Sequence, residues 1–424
     1  MHQVYNYFGY IEKKLYCEEV SIANLASKVG TPFFVYSKKA ILDKINQYKE
    51  AFKDYDTLIC YALKANSNLS LLKIFEENGF GADIVSGGEL HKAKKAGFPS
   101  NKIVYAGVGK IDFEISYAIS ENILSFNVES FMELDVINEI AGKQEKKANV
   151  SIRVNPNVDP KTHPYISTGL KKSKFGIDID QAIDAYKKAV KLKNLNVVGV
   201  HCHIGSQIKD VSVFREAAEK VVDLVFKLKK EGIELKFIDM GGGLGVKYHP
   251  DDNPPTPKDL ADAIIPVVKQ TGLKLIIEPG RSLIAEAGAL ITKVIFLKDK
   301  QEKHFVIVDS GMNDLVRPAM YNAYHHVLNV QEKDEEMIAD IVGPICETGD
   351  FLALDRRIGK VERGDLLAIM TAGAYGSSMS SNYNVRPRAL EVLVDGPNFK
   401  VIKEREDYKH ISKYEEEVLW KYWL

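Results

Sequence analysis

Between residues 58 and 278, short apolar runs alternate with amphipathic segments, and this alternation restricts the possible folds more than any other feature. Strands that alternate with helices form parallel sheets, because each helix returns the chain to the starting edge of the sheet. Eight such strands in roughly 250 residues match an α/β fold of the (β/α)8 barrel type. A doubly wound open sheet is the competing architecture. The predicted strands lie near residues 58–62, 82–85, 102–105, 124–127, 149–154, 197–204, 236–240 and 274–278.

The pattern changes after Arg281 to β-rich segments without regular intervening helices. The dipeptide Asp395-Gly396 lies between two apolar runs, which indicates a β-hairpin. Strand-like pieces also precede the barrel alternation, and we expect them to join the later strands. The sequence therefore predicts a barrel domain over residues 31–281 and a C-terminal all-β, β-sandwich-like domain formed by residues 1–30 with 282–424.

Composition and charge limit the kinds of binding partner and cellular location that the sequence predicts. The 424 residues carry a formal net charge of −1, so a general basic field for nucleic acids or membranes is not expected. The first twenty residues do not resemble a signal peptide, and no apolar run reaches the roughly 18 residues of a membrane span. The four cysteines lack Cys-x-x-Cys spacing, which favours reduced thiols and a cytoplasmic location.

Lys64 directly follows the apolar run 58–62, where a buried strand gives way to a polar turn. A lysine at such a strand end is poorly hydrated, and desolvation favours its neutral amine. A neutral amine can form a Schiff base with a carbonyl cofactor. For this residue considered alone, a lysine that extends from the strand end into solvent is the alternative.

Residues able to carry chemistry recur at the ends of the predicted barrel strands, which is where barrel enzymes place their active sites. This coincidence is harder to obtain from packing than any single motif. The residues at these ends are Lys64, Asp83, His203, Ser206, Gly242, Gly243, Glu278, Pro279, Gly280 and Arg281.

The glycine turn at residues 241–245 predicts a phosphate site, because its backbone N–H groups are not covered by side chains. Barrel phosphate sites often use the loops after strands seven and eight, and Arg281 adds a guanidinium in the eighth. A dinucleotide fingerprint fails because Val246 occupies its last glycine position. A tight turn without a ligand is the alternative.

The His-x-His spacing predicts that His201 and His203 lie on one face of a strand, which could suggest a metal site. Such a site needs further ligands, for which only Asp83 and Glu278 are available, and we expect no metal. His203 is better explained as a ring that lies flat on an aromatic cofactor, with a core histidine as the alternative. Glu278 beside a pyridine nitrogen would favour decarboxylation, because a protonated ring stabilises the resulting carbanion. A racemase would instead use a cation such as arginine.

The predicted β domain supplies further candidates. Cys346 and Glu347 place a thiol and a carboxylate side by side, and such a thiol can donate a proton. An isolated cysteine is more often inert filler. Tyr375 offers a hydroxyl group to a phosphate, and Arg317 with Tyr321 could grip a carboxylate.

These motifs together resemble the diaminopimelate decarboxylases, a fold-type III family that depends on pyridoxal 5'-phosphate. The resemblance covers nearly the whole chain in the family's order. It implies an alanine-racemase-like TIM barrel, and the conversion of meso-2,6-diaminopimelate to L-lysine and CO2, the last step of lysine biosynthesis. It also implies a homodimer with active sites shared at the interface. The matching motifs are Tyr61–Asn66, His201–Gln207, Gly241–Gly245, Glu278–Arg281, Cys346–Asp350 and Ala372–Gly376.

The resemblance also implies residue roles. Lys64 would bind the cofactor covalently, His203 would stack on its ring, and Glu278 would pair with the pyridine nitrogen. Cys346 would protonate the α-carbon from the neighbouring subunit. The other cofactor contacts would be Asp83, Ser206, Gly242, Gly243, Pro279, Gly280, Arg281 and Tyr375; the substrate contacts would be Arg281, Arg317, Tyr321, Glu347 and Tyr375; and residues 163–169 with 174–176 would close over the substrate.

Three alternatives remain at this point. A related decarboxylase could act on another basic amino acid or on carboxynorspermidine, although Glu347 with Arg317 favours a substrate with a distal carboxylate. An inactive regulatory relative usually lacks the lysine or the thiol, and both are present here. An amino-acid racemase is disfavoured by Glu278.

Overall fold

The computed structural model describes residues 2–5, 7–159, 173–300 and 303–419. The chain divides into two compact units. The barrel unit comprises residues 44–246 and 253–283, and the second unit comprises residues 1–43, 247–252 and 284–424. The predicted closing segment at residues 163–169 lies outside the described residues.

Strands and helices alternate through the middle of the described chain, and strands dominate on both sides of it. The strands are β1 (His2–Tyr5), β2 (Phe8–Ile11), β3 (Lys14–Cys17), β4 (Val20–Ser21), β5 (Phe33–Ser37), β6 (Thr57–Ala62), β7 (Gly81–Ile84), β8 (Ile103–Tyr105), β9 (Ser125–Val128), β10 (Ala148–Asn155), β11 (Ile177–Asp178), β12 (Leu195–His201), β13 (Phe237–Asp239), β14 (Lys274–Ile277), β15 (Gly288–Lys300), β16 (Lys303–Val308), β17 (Val327–Asn329), β18 (Glu336–Val342), β19 (Phe351–Gly359), β20 (Leu366–Ile369), β21 (Leu390–Asp395) and β22 (Asn398–Lys403). The α-helices are α1 (Ile22–Val29), α2 (Lys38–Phe52), α3 (Leu69–Glu77), α4 (Gly87–Ala96), α5 (Asp112–Ser120), α6 (Phe131–Lys143), α7 (Ala182–Ala189), α8 (Ser212–Lys230), α9 (Pro257–Val268), α10 (Arg281–Ile284), α11 (Arg317–Tyr321) and α12 (Tyr408–Val418).

The barrel is a closed ring of eight parallel strands. The strands β6, β7, β8, β9, β10, β12, β13 and β14 pair in this order, and β14 pairs with β6 to close the ring. The predicted (β/α)8 barrel is therefore confirmed, and the open sheet is excluded. The predicted sixth strand was too long, because β12 ends at His201 and leaves His203 in the loop that follows.

Apolar side chains fill the barrel interior towards the beginnings of the strands. Leu58, Val104, Phe237 and Ile276 belong to one buried cluster although they come from strands that are not all neighbours. Gly199 of β12 makes room for this packing, because a Cβ there would lie 2.3 Å from the ring of Phe237. The barrel is thus a packed core, and its chemistry is left to the other end.

The second unit is built on a mixed sheet in the order β19-β18-β16-β15-β5-β21-β22, with β20 pairing with β15 and β17. The strands β1 to β4 form a separate antiparallel sheet. The predicted hairpin is confirmed, since β21 and β22 pair around Gly396, whose φ is +60°. The predicted domain limits placed β5 with the barrel, whereas β5 pairs with β15 and β21 of this sheet. None of the described helices has the length and apolarity that a membrane crossing requires.

Candidate active site

A layer of buried polar residues lies at the C-terminal ends of the barrel strands. Its members are contributed by strands around the ring. The Asn127 amide donates to Glu278 Oε1 at 3.4 Å, although β9 and β14 are not neighbours, so this hydrogen bond crosses the barrel interior. The members are Asp83, Asn127, His201, Asp239 and Glu278.

Lys64 lies in a 3₁₀ turn, Leu63–Ala65, immediately after β6. Its Nζ is 2.6 Å from Oδ2 of Asp83, and 33% of its side chain is exposed while that of Asp83 is buried. Burial and the nearby Glu278 raise the pKa of Asp83 to about 7, although Lys64 acts in the opposite direction. The raised pKa places the Asp83 carboxyl group near its own proton equilibrium at neutral pH, within hydrogen-bond distance of the Lys64 side chain. A neutral Lys64 amine stays a prediction.

Glu278 directly follows β14 and is held by two side chains. His201 Nε2 lies 3.3 Å from Oε2, and the pKa of His201 is lowered by burial. His201 is therefore neutral and donates its Nε2–H to the carboxylate. Burial opposes the charge on Glu278, but the hydrogen bond from His201 and the positive charge of Lys64 outweigh it and hold the pKa of Glu278 well below its ordinary value. The layer therefore contains an ionised carboxylate at the position where the sequence predicts one.

Asp239 is a third buried carboxyl group, which the sequence analysis missed. Burial and the charge of Glu278 raise the pKa of Asp239 well above its ordinary range, so this group keeps its proton. Its Oδ1 accepts the Gly241 N–H at 2.9 Å. Single ligand atoms of His201, Asp239 and Glu278 lie within 4.8 Å of one another, a spacing that a divalent cation could also use. The position of Asp239 at the end of β13 was the signal that could have identified it.

Arg281 and Ser206 form the anion-binding part of this end of the barrel. The Arg281 Nε and Nη2 atoms donate to Ser206 Oγ at 3.2 and 3.1 Å. Glycines allow the surrounding loops to approach each other closely. A Cβ on Gly243, whose φ is +125°, would lie 2.4 Å from a backbone oxygen, and one on Gly280 would lie 3.0 Å from Ala62 Cβ beside the Lys64 turn.

The glycine turn differs in detail from the expectation that its N–H groups face a phosphate. The Gly242 N–H donates to His203 Nδ1 at 3.2 Å, and the Gly241 N–H donates to Asp239. Since Nδ1 of His203 accepts, the proton of the neutral ring is on Nε2. Burial and the cationic Lys64 lower the pKa of His203 well below its ordinary value, so this ring is neutral. The Gly242 N–H thus orients the predicted stacking ring.

Pro279 connects two of the loops at this end. Its carbonyl oxygen accepts the N–H of Ala62 at 3.2 Å, and the N–H of Glu278 donates to the Gly241 oxygen at 2.8 Å. The turn that carries Lys64 and the loops after β13 and β14 are therefore fixed to one another by backbone hydrogen bonds. The donor set fits pyridoxal phosphate: a lysine for its aldehyde, a guanidinium with a hydroxyl group for its phosphate, and an ionised carboxylate for its pyridine nitrogen.

The second unit presents Cys346 and Glu347 on an exposed turn between β18 and β19. Asp350 organises this turn, because its two carboxylate oxygens accept backbone N–H groups of Met312 and Ile345, each at 2.6 Å. Burial raises the pKa of Asp350, while these N–H groups act in the opposite direction. This role of Asp350 was not predicted from the sequence.

The remaining predicted residues of the second unit lie on two further segments. Arg317 and Tyr321 begin and end α11, and Arg317 is buried. Tyr375 has a φ of +56° in the turn after β20. This turn requires a glycine at residue 373, because a Cβ there would lie 2.0 Å from the Ile284 oxygen. The predicted site residues thus fall into a barrel set and a second-unit set, and their roles stay predictions.

Comparisons with known proteins agree with this chemistry. Residues 38–285 match the family described as pyridoxal-dependent decarboxylase, pyridoxal binding domain. A diaminopimelate decarboxylase from Aquifex aeolicus is 58% identical over 406 residues, which cover 96% of both chains. The structure of the Helicobacter pylori enzyme of that name, complexed with L-lysine, has a TM-score of 0.91 at 46% identity and covers 94% of this chain and 100% of that one. The enzyme of that name from Methanocaldococcus jannaschii, also in complex with L-lysine, has a TM-score of 0.92 at 46% identity, with coverage of 96% and 97%.

Proposed function

This chain belongs to the diaminopimelate decarboxylases, which depend on pyridoxal phosphate, and we propose roles for its own residues in that reaction. The reaction releases the carboxylate of one α-carbon of diaminopimelate as CO2 and leaves L-lysine. The observation that carries the proposed roles is the pair of Lys64 and Asp83 at the end of β6, within the same buried layer as the ionised Glu278.

Lys64 is the residue to which the cofactor attaches. When bound, pyridoxal phosphate supplies an aldehyde that condenses with amines and an electron-poor ring that accepts the electron pair left by departing CO2. Asp83 orients the amine of Lys64 and is placed to exchange a proton with it, because its Oδ2 lies 2.6 Å from Lys64 Nζ. Lys64 would have to react in its neutral form, because only an amine with a free electron pair can bond to a carbonyl carbon.

Glu278 holds a proton on the pyridine nitrogen. Its carboxylate stays ionised in the buried layer because of His201 and Lys64, and an ionised carboxylate is the partner that a pyridinium requires. Asn127 donates to one carboxylate oxygen and His201 to the other, which orients the group. This arrangement favours decarboxylation over racemisation.

The phosphate is held by Arg281 and Ser206, with Gly243 and Gly280 allowing close backbone approach. Pro279 keeps these loops joined to the Lys64 turn. His203 packs on the cofactor ring, and the Gly242 N–H fixes its orientation. Tyr375 adds a hydroxyl group to the phosphate site.

The second-unit residues recognise the substrate. Arg317 and Tyr321 bind the distal carboxylate, Arg281 contributes a further cation, and Glu347 binds the distal ammonium. Cys346 donates the proton to the α-carbon, since its exposed thiol is free of disulfide constraint. These assignments predict that a dicarboxylate with a distal amine is preferred over ornithine or arginine.

The active enzyme is a homodimer in which the second unit of one chain completes the barrel site of the other. The exposure of Cys346 and Glu347 supports this arrangement, since groups that act on a bound substrate must be covered during the reaction. A closed two-fold dimer would create two such sites. The four free cysteines are compatible with a reducing, cytoplasmic environment for this dimer.

The proposed roles are tested by locating the covalent link. Purified enzyme should be reduced with borohydride, digested and mapped by mass spectrometry, and a pyridoxyl group is expected on Lys64. Lys110 is a suitable internal comparison, because its ammonium is buried and bound to Glu133 at 2.6 Å. Label on Lys110 or Lys174 would reject the assignment.

The proposed substrate is tested by measuring the release of CO2. Release is expected from diaminopimelate but not from ornithine, arginine or carboxynorspermidine.

A further inference from the structure

His325 is a wholly buried histidine of the second unit that the proposed roles do not yet use. It lies between α11 and β17. Its Nδ1 is 2.8 Å from the Met370 oxygen, and its Nε2 is 2.8 Å from Nη1 of Arg317. A carbonyl oxygen can only accept, so Nδ1 carries the proton, and a guanidinium can only donate, so Nε2 accepts. Both neighbours therefore require the same neutral tautomer.

The backbone fixes the position of this imidazole. Met370 follows β20, and its N–H donates to the oxygen of His326 at 2.8 Å. The Met370 oxygen accepts a hydrogen bond from the imidazole of His325, the residue before His326. Residues 325 and 326 are thus joined to the end of β20 by one backbone and one side-chain hydrogen bond, which leaves the ring little freedom to turn.

Tyr248 also packs against the Arg317 guanidinium. The guanidinium carbon lies 4.4 Å from the centre of the Tyr248 ring, a distance typical of a cation–π contact. The ring of His325 meets that of Tyr248 edge-on, with centroids 5.2 Å apart and an interplanar angle of 78°. The guanidinium therefore has an aromatic face against it and a fixed acceptor at Nη1.

The type of acceptor at residue 325 affects the net charge around the Arg317 guanidinium. A carboxylate in place of His325 would also orient Arg317, but it would neutralise the guanidinium and compete with an incoming anion. A neutral imidazole orients the group without adding a negative charge that would compete with an incoming anion. Arginine side chains have many rotamers, so holding one in place before the ligand arrives lowers the entropic cost of binding.

We propose that His325 is a positioning residue that holds Arg317 for the distal carboxylate of diaminopimelate. This inference rests on the function proposed above. It names the residue that holds the carboxylate clamp, Arg317 with Tyr321, in position. L-lysine keeps that carboxylate, whereas cadaverine has the same carbon chain without it. The two compounds therefore separate an effect on the clamp from an effect on the rest of the site.

The test compares His325→Phe with His326→Phe, a matched control one residue away whose backbone pairing is unchanged. In His325→Phe, the KM for diaminopimelate and the inhibition constant of L-lysine should both rise about 10- to 100-fold, as expected for losing a hydrogen bond to a charged group. kcat should change less than about threefold, and inhibition by cadaverine should be unaltered. His325→Gln should stay near wild type, because its amide can donate to Met370 and accept from Arg317.

Thermal unfolding shows whether each variant is folded, and the cofactor absorbance band shows whether it has bound the cofactor. If His325→Phe fails to fold, His325→Glu carries the test, since it keeps an acceptor but neutralises Arg317 and should raise the same two constants. Equal effects of the variants at residues 325 and 326, or equal changes for lysine and cadaverine, would overturn the inference.

Arg317→Ala separates this inference from the function on which it rests. Wild-type enzyme that releases no CO2 from diaminopimelate would reject the proposed function itself. An unchanged KM in Arg317→Ala would reject the clamp and, with it, the role of His325. A large effect of Arg317→Ala beside no effect of His325→Phe would reject the positioning role alone.

Discussion

The two units hold their candidate catalytic groups in opposite ways. In the barrel unit, Asp83 and Glu278 are buried, and each contacts a partner from another strand. In the second unit, Cys346 and Glu347 are exposed on a turn that is itself fixed by Asp350. The barrel therefore sets charge and protonation in advance, whereas the second unit presents reactive groups outward. Groups of the first kind suit a resident cofactor, and groups of the second kind suit a site that another surface completes.

The largest expected loss comes from the barrel set. Lys64→Ala should lower kcat/KM by a factor on the order of 10⁵, because no other amine replaces the covalent attachment. Steady-state release of CO2 measures this loss, and the cofactor absorbance band should shift. The matched variant Lys110→Ala should keep the band. A Lys64→Ala enzyme within tenfold of wild type would contradict the account.

Glu278→Gln should have the next largest effect. The amide keeps the shape of the side chain but cannot hold a proton on the pyridine nitrogen, so decarboxylation should fall about 10³-fold, or about 4 kcal/mol. Cofactor binding, measured by equilibrium dialysis, should remain within a few-fold of wild type. A near-normal turnover number would mean that the ring needs no carboxylate partner.

Cys346→Ala should lower kcat less, by about 10²-fold, because water can replace an exposed proton donor in part. Cys346→Ser is the matched variant and should fall between alanine and wild type. Proton incorporation at the α-carbon, followed by NMR in D2O, should lose its stereochemical purity in the alanine variant. Unchanged kcat and stereochemistry would exclude the thiol as the donor.

The smallest expected effect is on stability. Burial raises the pKa of Asp83 in the barrel unit and of Asp314 in the second unit to about 7 in each case. Between pH 4 and 7 each carboxyl group keeps its proton in the folded state and loses it in the unfolded state. The free energy of unfolding therefore includes a contribution that is present below about pH 4 and is lost as the pH rises to about 7.

Urea unfolding of the cofactor-free enzyme at several pH values tests this contribution. Asp83→Asn and Asp314→Asn should each flatten the pH dependence by on the order of 1–3 kcal/mol. Bound cofactor should change the result for Asp83 but not for Asp314. An unaltered slope in both variants would show that neither carboxyl group keeps its proton.

The sequence predicted the barrel because alternation with apolar strands is a local signal, visible in runs such as residues 58–62. It also predicted the residues at the strand ends, since strand direction places Lys64 and Glu278 at one rim. It did not reveal Asp239 or His325. The position of Asp239 at the end of a barrel strand was a usable signal, whereas His325 has no distinctive local pattern.

The roles of Asp239 and His325 depend on contacts between segments that are distant along the chain. Asp239 keeps its proton because the fold buries it beside Glu278, which directly follows the neighbouring strand β14. His325 has its tautomer assigned by the oxygen of Met370, which is 45 residues away in the chain. The position of β5 in the mixed sheet has the same origin, since its partners β15 and β21 lie far along the chain.

The most direct test of the comparison mixes two inactive variants. Lys64→Ala chains lack the covalent attachment, and Cys346→Ala chains lack the proton donor. If the barrel of one chain works with the second unit of the other, each heterodimer contains one site with both residues intact. Random exchange makes about half of the dimers heterodimeric, so about a quarter of wild-type activity should return. Chains that demonstrably exchange subunits and yet stay as inactive as the separate variants would contradict shared sites and show that each site is built within one chain.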